Sequence, residues 1–335
     1  MFRNTLIKGI ETYLPGNKIG NEKYIEHFDK QDIDIRNLLA SINRKYRYKA
    51  SNDENVITMG TKASLEALKN FNVKAEDIDI IIFASNTPEY LTPSNAIKIH
   101  HAVGAKNDAL AFDINADCMG AVLAINLAST LLKGNPKYKK ALVVASTLMS
   151  AFSRQDDALS YATMSDAAVS ILLEAKEEDF ERGILSTECQ TDSRFHDATQ
   201  NPIHGFSSYW RSASTDKEEG KLKSYPFDTS EYPTIWASMI KNTIANTKYK
   251  IADVKFFIMS QFVEKMIVDT LEKLNVEDYK NKYNFLTPEI GYTGLCCEMF
   301  ALKDALDKKL INEGDLIVFG GTGIGSSNMM MSYKL

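Results

Sequence analysis

Among the four cysteines and five histidines of this 335-residue chain, Cys118 has a setting that suits nucleophilic chemistry. It lies in Asp113-Ile114-Asn115-Ala116-Asp117-Cys118-Met119-Gly120-Ala121. The apolar run 109–112 before it reads as a short buried strand. The segment 120–133 after it, with Ala121, Val122, Ile125, Leu127, Ala128, Leu131 and Leu132 closely spaced, reads as a helix. Cys118 is therefore expected where a strand turns into the start of a helix. Unpaired N–H groups and a partial positive charge gather there. Both favour a thiolate, the form in which cysteine attacks carbonyl carbon. The same local sequence also fits a small buried hydrophobe, and Asp117 is expected to point away from the thiol, whose ionisation it would otherwise oppose.

Composition narrows the function classes. The formal net charge is -5, so the chain has no basic footprint for nucleic acid. No stretch approaches the ~20 apolar residues of a membrane span, and the start, Met1-Phe2-Arg3-Asn4, does not read as a signal peptide. Two of the four cysteines are adjacent, Cys296 and Cys297, so they do not make a disulfide framework. No Cys/His spacing suggests a metal. A reduced, cytoplasmic enzyme with no bound cofactor is the expectation.

The elements that must position Cys118 alternate along the chain. Strands are expected at 5–10, 78–85, 141–146 and 167–173, and helices at 55–71 and 94–103, with His100 and His101 structural on the latter. Residues 21–48 read as helical and then basic, and 150–164 as polar and irregular. Continuous apolar strands between helices imply a buried sheet with helices on both faces.

The second half repeats the first. Residues 75–85 have a counterpart in 251–260, each after an amphipathic helix (55–71 and 233–247). Residues 137–146 match 312–320, and Cys118-Met119-Gly120 with its helix matches Tyr292-Thr293-Gly294 and the helix 295–309. The period is roughly 175 residues, which divides the chain into halves 1–175 and 176–335 joined by a charged turn near 174–185. Pseudo-twofold halves bring both helix starts to one central crevice. A long irregular insertion at about 190–232 is expected to cover a binding tunnel. Gly320-Gly321-Thr322-Gly323-Ile324-Gly325 is not read as a nucleotide loop, because such a loop should open a helix within a βαβ unit.

The chain resembles the thiolase superfamily and, within it, the β-ketoacyl-acyl-carrier-protein synthase III group. The resemblance spans essentially the whole sequence and rests on Tyr13-Leu14-Pro15, the 113–120 segment, Met164-Ser165-Asp166-Ala167-Ala168 and Phe319-Gly320-Gly321-Thr322-Gly323. It implies a duplicated five-layer α-β-α-β-α fold with two pseudo-twofold-related mixed-sheet halves, and a dimer, either of identical chains or with a paralogue. It also implies that Cys118 is acylated by a thioester, with the oxyanion held by the amides of Cys118 and Gly321. Asp166 is expected to fix a loop.

Two departures shape the expected activity. Condensing members of the family carry a His and an Asn where this chain has Ser260 and Tyr292, and a one-residue shift would offer Gln261 rather than a His. Neither Ser nor Tyr is a good general acid at pH 7. The adenine clamp of coenzyme A users is also lost: the aligned positions fall near Arg36 and Ala158. Arg36, Arg154, His204, Phe262 and Lys265 are the substrate-binding candidates, with Lys265 and Lys273 on the carrier-docking face. The resemblance then implies an acyltransferase that takes an acyl group from acyl carrier protein or coenzyme A. It would pass the group to an acceptor that needs no decarboxylation, in a secondary-metabolite or fatty-acid-type pathway. The alternatives are a decarboxylating enzyme using His196 or His204, and a non-catalytic partner subunit.

Overall fold

A computed structural model describes residues 1–213 and 215–335. The first half runs β1 (Phe2–Tyr13), β2 (Asn17–Gly20), α1 (Asn21–Asp29), α2 (Arg36–Ser41), β3 (Tyr46–Lys49), α3 (Val56–Asn70), β4 (Ile80–Ala84), α4 (Asn95–Val103), β5 (Leu110–Ile114), α5 (Gly120–Gly134), β6 (Lys140–Thr147), α6 (Met149–Phe152), α7 (Ala158–Thr163) and β7 (Ala167–Glu178). The second runs β8 (Gly183–Thr191), β9 (Thr199–Gln200), α8 (Phe206–Arg211), β10 (Lys223–Ser224), α9 (Tyr232–Ala245), β11 (Val254–Ile258), α10 (Glu264–Lys273), α11 (Thr287–Ile290), α12 (Cys297–Asp307), β12 (Leu316–Gly323) and β13 (Ser327–Lys334).

Nine strands hydrogen-bond in the order β11-β12-β13-β8-β1-β7-β6-β4-β5. They form two half-sheets that touch where Thr5 on β1 pairs Gly183 on β8. Gly183 has φ +81°, and a Cβ there would run into the Thr5 carbonyl oxygen, so this seam requires glycine. Within each half the mixed pattern is the same. β4 lies parallel to β6, and β6 antiparallel to β7; β11 lies parallel to β12, and β12 antiparallel to β13. Among the described residues the second half has no strand matching β5; there the Phe257 N–H donates to the Lys282 carbonyl instead.

Alternation along the strands creates the layers. On β4, Ile80, Ile82 and Ala84 face the central helices α5 and α12, while Ile81 and Phe83 face α3 and α4. On β12, Ile317 and Phe319 face the centre, while Leu316 and Val318 face α9 and α10. Both half-sheets thus share one helical layer and each carries an outer one, which is the five-layer arrangement. Truncating a central residue such as Ile82 to Ala costs about 2–5 kcal/mol.

Several local expectations change. The stretch 21–48 is two short helices followed by β3, because Arg47 and its neighbours pair with β2. Residues 150–164 contain α6 and α7 rather than only irregular chain. The charged segment 174–178 is strand, since β7 pairs along β1 as far as Phe2–Glu178, so the inter-half turn is confined to 179–182. The glycine-rich 320–325 segment ends β12 and turns directly into β13, an antiparallel hairpin. Among the described residues no helix is long and apolar enough to cross a membrane.

Candidate active site

The segment before Cys118 is used to build the site. The Asp113 carboxylate accepts from the Asn95 and Ala96 backbone N–H groups at 2.6 and 2.7 Å, tying the start of α4 to the end of β5. Asn115 Oδ1 accepts from the Asp117 N–H at 3.1 Å. Asp117 takes a left-handed φ of 48° and opens a single 3-10 turn, Asp117–Met119, which leads into α5. Cys118 sits in that turn, 6% exposed. Gly120 follows because the two halves meet there: its added Cβ would lie 3.1 Å from Leu295 Cδ1.

The second half supplies the residues facing the thiol. Ser260 follows β11 and Tyr292 follows α11. Tyr292 is fixed through its backbone, donating to the Thr163 carbonyl at 3.2 Å and accepting from the Ser165 N–H at 2.8 Å. Asp166 in the same loop accepts from the Ala50 and Ser150 N–H groups, both at 2.8 Å. Tyr292 packs against Cys118; its hydroxyl eases ionisation of the thiol and lies 3.4 Å from Ser260 Oγ. Phe262 packs edge-on against Tyr292, ring centroids 4.9 Å apart. Gln261 is occupied elsewhere, with Nε2 donating to the Met259 and Asn284 carbonyls and Oε1 accepting from the Leu286 N–H.

Electrostatics at Cys118 differ from the sequence expectation. Burial pushes the thiol up to about 12, the Tyr292 hydroxyl opposes this, and Asp117 and Glu298 add to it. The helix start also opposes it, but at about 0.3–1 kcal/mol it is worth under one pKa unit, so burial wins. Asp117 therefore does act on the thiol. Burial also raises Tyr292 well above its ordinary value, leaving it a neutral hydrogen-bond donor.

Cys118, Ser260 and Tyr292 line a cavity of about 280 Å³. Its walls are mainly apolar: Met149, Leu159, Met164, Leu222, Tyr225 to Phe227, Trp236, Phe262, Val263, Met266 and Ile324. The insertion contributes Thr199, Leu222, Ser224, Tyr225, Pro226, Phe227 and Thr229 to the cavity wall. Trp236 is oriented by donating Nε1–H to Thr322 Oγ1 at 2.9 Å and to Asn328 Oδ1 at 3.2 Å. Gly321 lies beside Cys118, where its added Cβ would be 3.4 Å from the Cys118 carbonyl oxygen.

Of the substrate-binding candidates, Phe262 lines the cavity. Arg36 is exposed and paired with Asp29 and Asp34. Arg154 pairs with Asp156 and donates to the Glu218 carbonyl. Lys265 is paired with Asp269 on the outer face of α10. His196 and His204 line two other surface depressions, and no histidine among the described residues lines the Cys118 cavity. Nor do the described residues include a group of three or more His, Cys, Asp or Glu able to hold a metal.

Sequence reasoning missed Glu298. It is fully buried in the first turn of α12, and no hydrogen bond of ordinary geometry reaches either carboxyl oxygen. Burial pushes the carboxyl up to about 8, opposed by its own N–H and the Cys297 thiol. Gly321 and Cys118 are close by. In sequence, a glutamate at a helix start reads as solvated, and nothing local marks it as buried.

Comparison with known proteins agrees with this architecture. The family description "3-Oxoacyl-[acyl-carrier-protein (ACP)] synthase III" matches residues 112–193, and its C-terminal counterpart matches 244–334. The chain is 30% identical over 332 residues to a beta-ketoacyl-[acyl-carrier-protein] synthase III of Clostridium botulinum, covering 96% of each chain. It is 29% identical to the Limosilactobacillus reuteri protein of the same name, covering 97% of each. In fold it is similar to the crystal structure of 3-oxoacyl-[acyl-carrier-protein] synthase III from Aquifex aeolicus (TM-score 0.84, 23% identity, 99% and 100% covered). It is also similar to the priming beta-ketosynthase of the R1128 polyketide pathway (TM-score 0.85, 20% identity, 100% and 97% covered). With its cysteine turn, its paired halves and a relative at 30% identity over nearly its whole length, the chain belongs to the 3-oxoacyl-[acyl-carrier-protein] synthase III family.

Proposed function

We propose that this protein is an acyltransferase that carries an acyl group on Cys118 and passes it to an acceptor other than a decarboxylating malonyl thioester. The observation that carries this reading is the pairing of Cys118 with Ser260 and Tyr292 in a largely apolar cavity without an imidazole. In the first half-reaction, Cys118 sulfur attacks the thioester carbonyl of an acyl carrier protein or coenzyme A donor. The Cys118–acyl bond forms, the donor C–S bond breaks, and the thiol proton ends on the departing thiol. The amides of Cys118 and Gly321 hold the oxyanion. The apolar walls hold the acyl chain.

For the second half-reaction, Ser260 and Tyr292 offer O–H donors to a carbonyl or nucleophile beside the thioester, but neither moves a proton readily at pH 7. The acceptor therefore brings its own nucleophile: an amine, an alcohol or a preformed carbanion. Such a role suits a secondary-metabolite pathway better than chain elongation. The functional unit is a dimer through β5, one of the two edge strands of the sheet, where Leu110 is 38% exposed.

Intact-protein mass spectrometry after mixing with a panel of acyl thioesters tests the reading. Wild type gains the mass of the acyl group and Cys118→Ala does not. No gain on wild type, or an equal gain on the variant, overturns it.

A further inference from the structure

On the far side of α6 and α7 from the Cys118 cavity lies a second depression, of about 500 Å³, lined by Lys18, Lys23, Tyr24, Lys49, Ser150 and Tyr161 among others. Its volume falls within the range of small-molecule sites. The cavities are separate: Met149 and Leu159 line the first, and the adjoining Ser150 and Tyr161 line the second.

Lys49 is the unusual member. Its Nζ is buried and has no hydrogen-bond partner. A buried ammonium without a partner is costly, because its hydration is lost and nothing replaces it. It lies over the rings of Tyr24 and Tyr161, 5.9 and 5.8 Å from their centroids. That is the outer limit of a cation–π contact, and it satisfies none of the three N–H donors. The Tyr24 hydroxyl is also buried without a partner.

The charges around Lys49 are mostly of its own sign. Arg47 and Lys23 act against its protonated form, Asp166 supports it, and burial holds the ammonium down to about 8. Asp166 is already engaged by the Ala50 and Ser150 N–H groups. Lys18, at the rim, lies 3.9 Å over the Tyr46 ring and 3.7 Å from Glu289, which also pairs with Lys45. The depression is thus lined by Lys49, Tyr24, Lys18 and Lys23, with the unpartnered Lys49 Nζ and Tyr24 hydroxyl buried beneath it and Glu289 paired with Lys18.

We propose that this depression binds the phosphate-monoester group of a small molecule, with Lys49 Nζ and the Tyr24 hydroxyl as inner donors and Lys18 and Lys23 at the rim. A compact dianion supplies the acceptor oxygens that these groups lack, and its charge offsets the three lysines. Two sources share this chemistry: the phosphate of a coenzyme A-type thioester and a free phosphorylated metabolite. The inference stands on this pocket alone and does not depend on the acyltransferase reading.

The test is thermal unfolding at constant ionic strength, titrating inorganic phosphate against chloride, with wild type, Lys49→Met and Tyr24→Phe. Wild type should show a saturable rise in Tm with phosphate. Lys49→Met should melt higher than wild type without phosphate and need at least tenfold more phosphate for half the effect. Tyr24→Phe should weaken the response by severalfold, and it serves as the measure if Lys49→Met does not fold. A parallel titration with desulfo-coenzyme A, which has no thiol, separates the sources. A response lost in the Lys49 variant assigns the site to the coenzyme phosphate; a response unchanged there, with the inorganic phosphate effect lost, assigns it to a free metabolite. No saturable phosphate effect on wild type, or one retained by the variants, overturns the proposal.

Discussion

Asp117 and Gly294 take left-handed φ values of 48° and 53° at the same point of the two halves, and each opens a single 3-10 turn that leads into a central helix. The backbones correspond and the chemistry does not. In this register Cys118 pairs with Leu295, three residues on from the Tyr292 that sequence matching selects. Cys118 lines the cavity, while Leu295 is buried in the core. Ala121 pairs with Glu298, so the second half buries a carboxyl where the first buries a methyl. The duplicated turn is a scaffold; one copy presents a thiol to the cavity, and the other reaches the same spot with Tyr292, just upstream of its turn.

Substitution at the paired turns should separate the two roles completely. Cys118→Ala should abolish acylation while leaving the protein folded. Leu295→Ala should keep acylation per folded molecule and lose about 2–5 kcal/mol of stability in denaturant unfolding. Acylation of Cys118→Ala would break the comparison at its root.

The next largest effect concerns Tyr292. Its O–H stabilises Cys118 as the thiol loses its proton, and a hydrogen bond to a charged group is worth about 1.5–3 kcal/mol. Tyr292→Phe should slow acylation at pH 7 by roughly tenfold to a hundredfold and move the alkaline rise of the rate to higher pH. Ser260→Ala, one bond further from sulfur, should cost only a few-fold. Equal losses in the two variants would show that Tyr292 acts through packing rather than through its proton.

Glu298 gives a stability effect with a defined pH window. Its carboxyl is raised from an ordinary value of 4.5 to about 8 in the folded protein. Between those values the folded state holds a proton that the unfolded state has released, so stability falls as pH rises through this range. Glu298→Gln should flatten that slope and melt higher than wild type at pH 8, where the folded wild type must hold a proton that its unfolded state has released. Parallel slopes in the two proteins would mean that Glu298 is not the titrating group.

The contrast also explains what was legible in the sequence. Cys118 was found because strand, turn and helix follow one another along the chain, and the duplication was found because apolar strands repeat in order. Ser260 and Tyr292 could be placed by correspondence, and they line the same cavity as Cys118. Local pattern could not show which face of a helix turns inward across the pseudo-twofold, so Glu298 escaped notice. It could not distinguish the buried Arg47 and Lys49 of β3 from a basic surface run either. Arg36, Arg154 and His204 stand away from the cavity for the same reason: partner choice among charged side chains is settled by contacts remote in sequence, such as Arg154 with the Glu218 carbonyl.

Asp117 and Gly294 give the smallest and most discriminating test, because the left-handed turn can be kept while the charge is removed. Asn adopts positive φ about as readily as Asp, so Asp117→Asn should leave stability within about 0.5 kcal/mol of wild type. The carboxylate opposes ionisation of Cys118, so its removal lowers the thiol pKa. At pH 8 the variant should then be alkylated at Cys118 by iodoacetamide a few-fold faster, measured by intact mass. In the sister turn, Gly294→Ala keeps the charge pattern and strains the backbone by about 1 kcal/mol. It should change Tm without moving the pH dependence of alkylation. An Asp117→Asn rate equal to or below wild type would mean that the charge at this turn does not reach the sulfur, leaving burial, Tyr292 and Glu298 as the controls on the thiol.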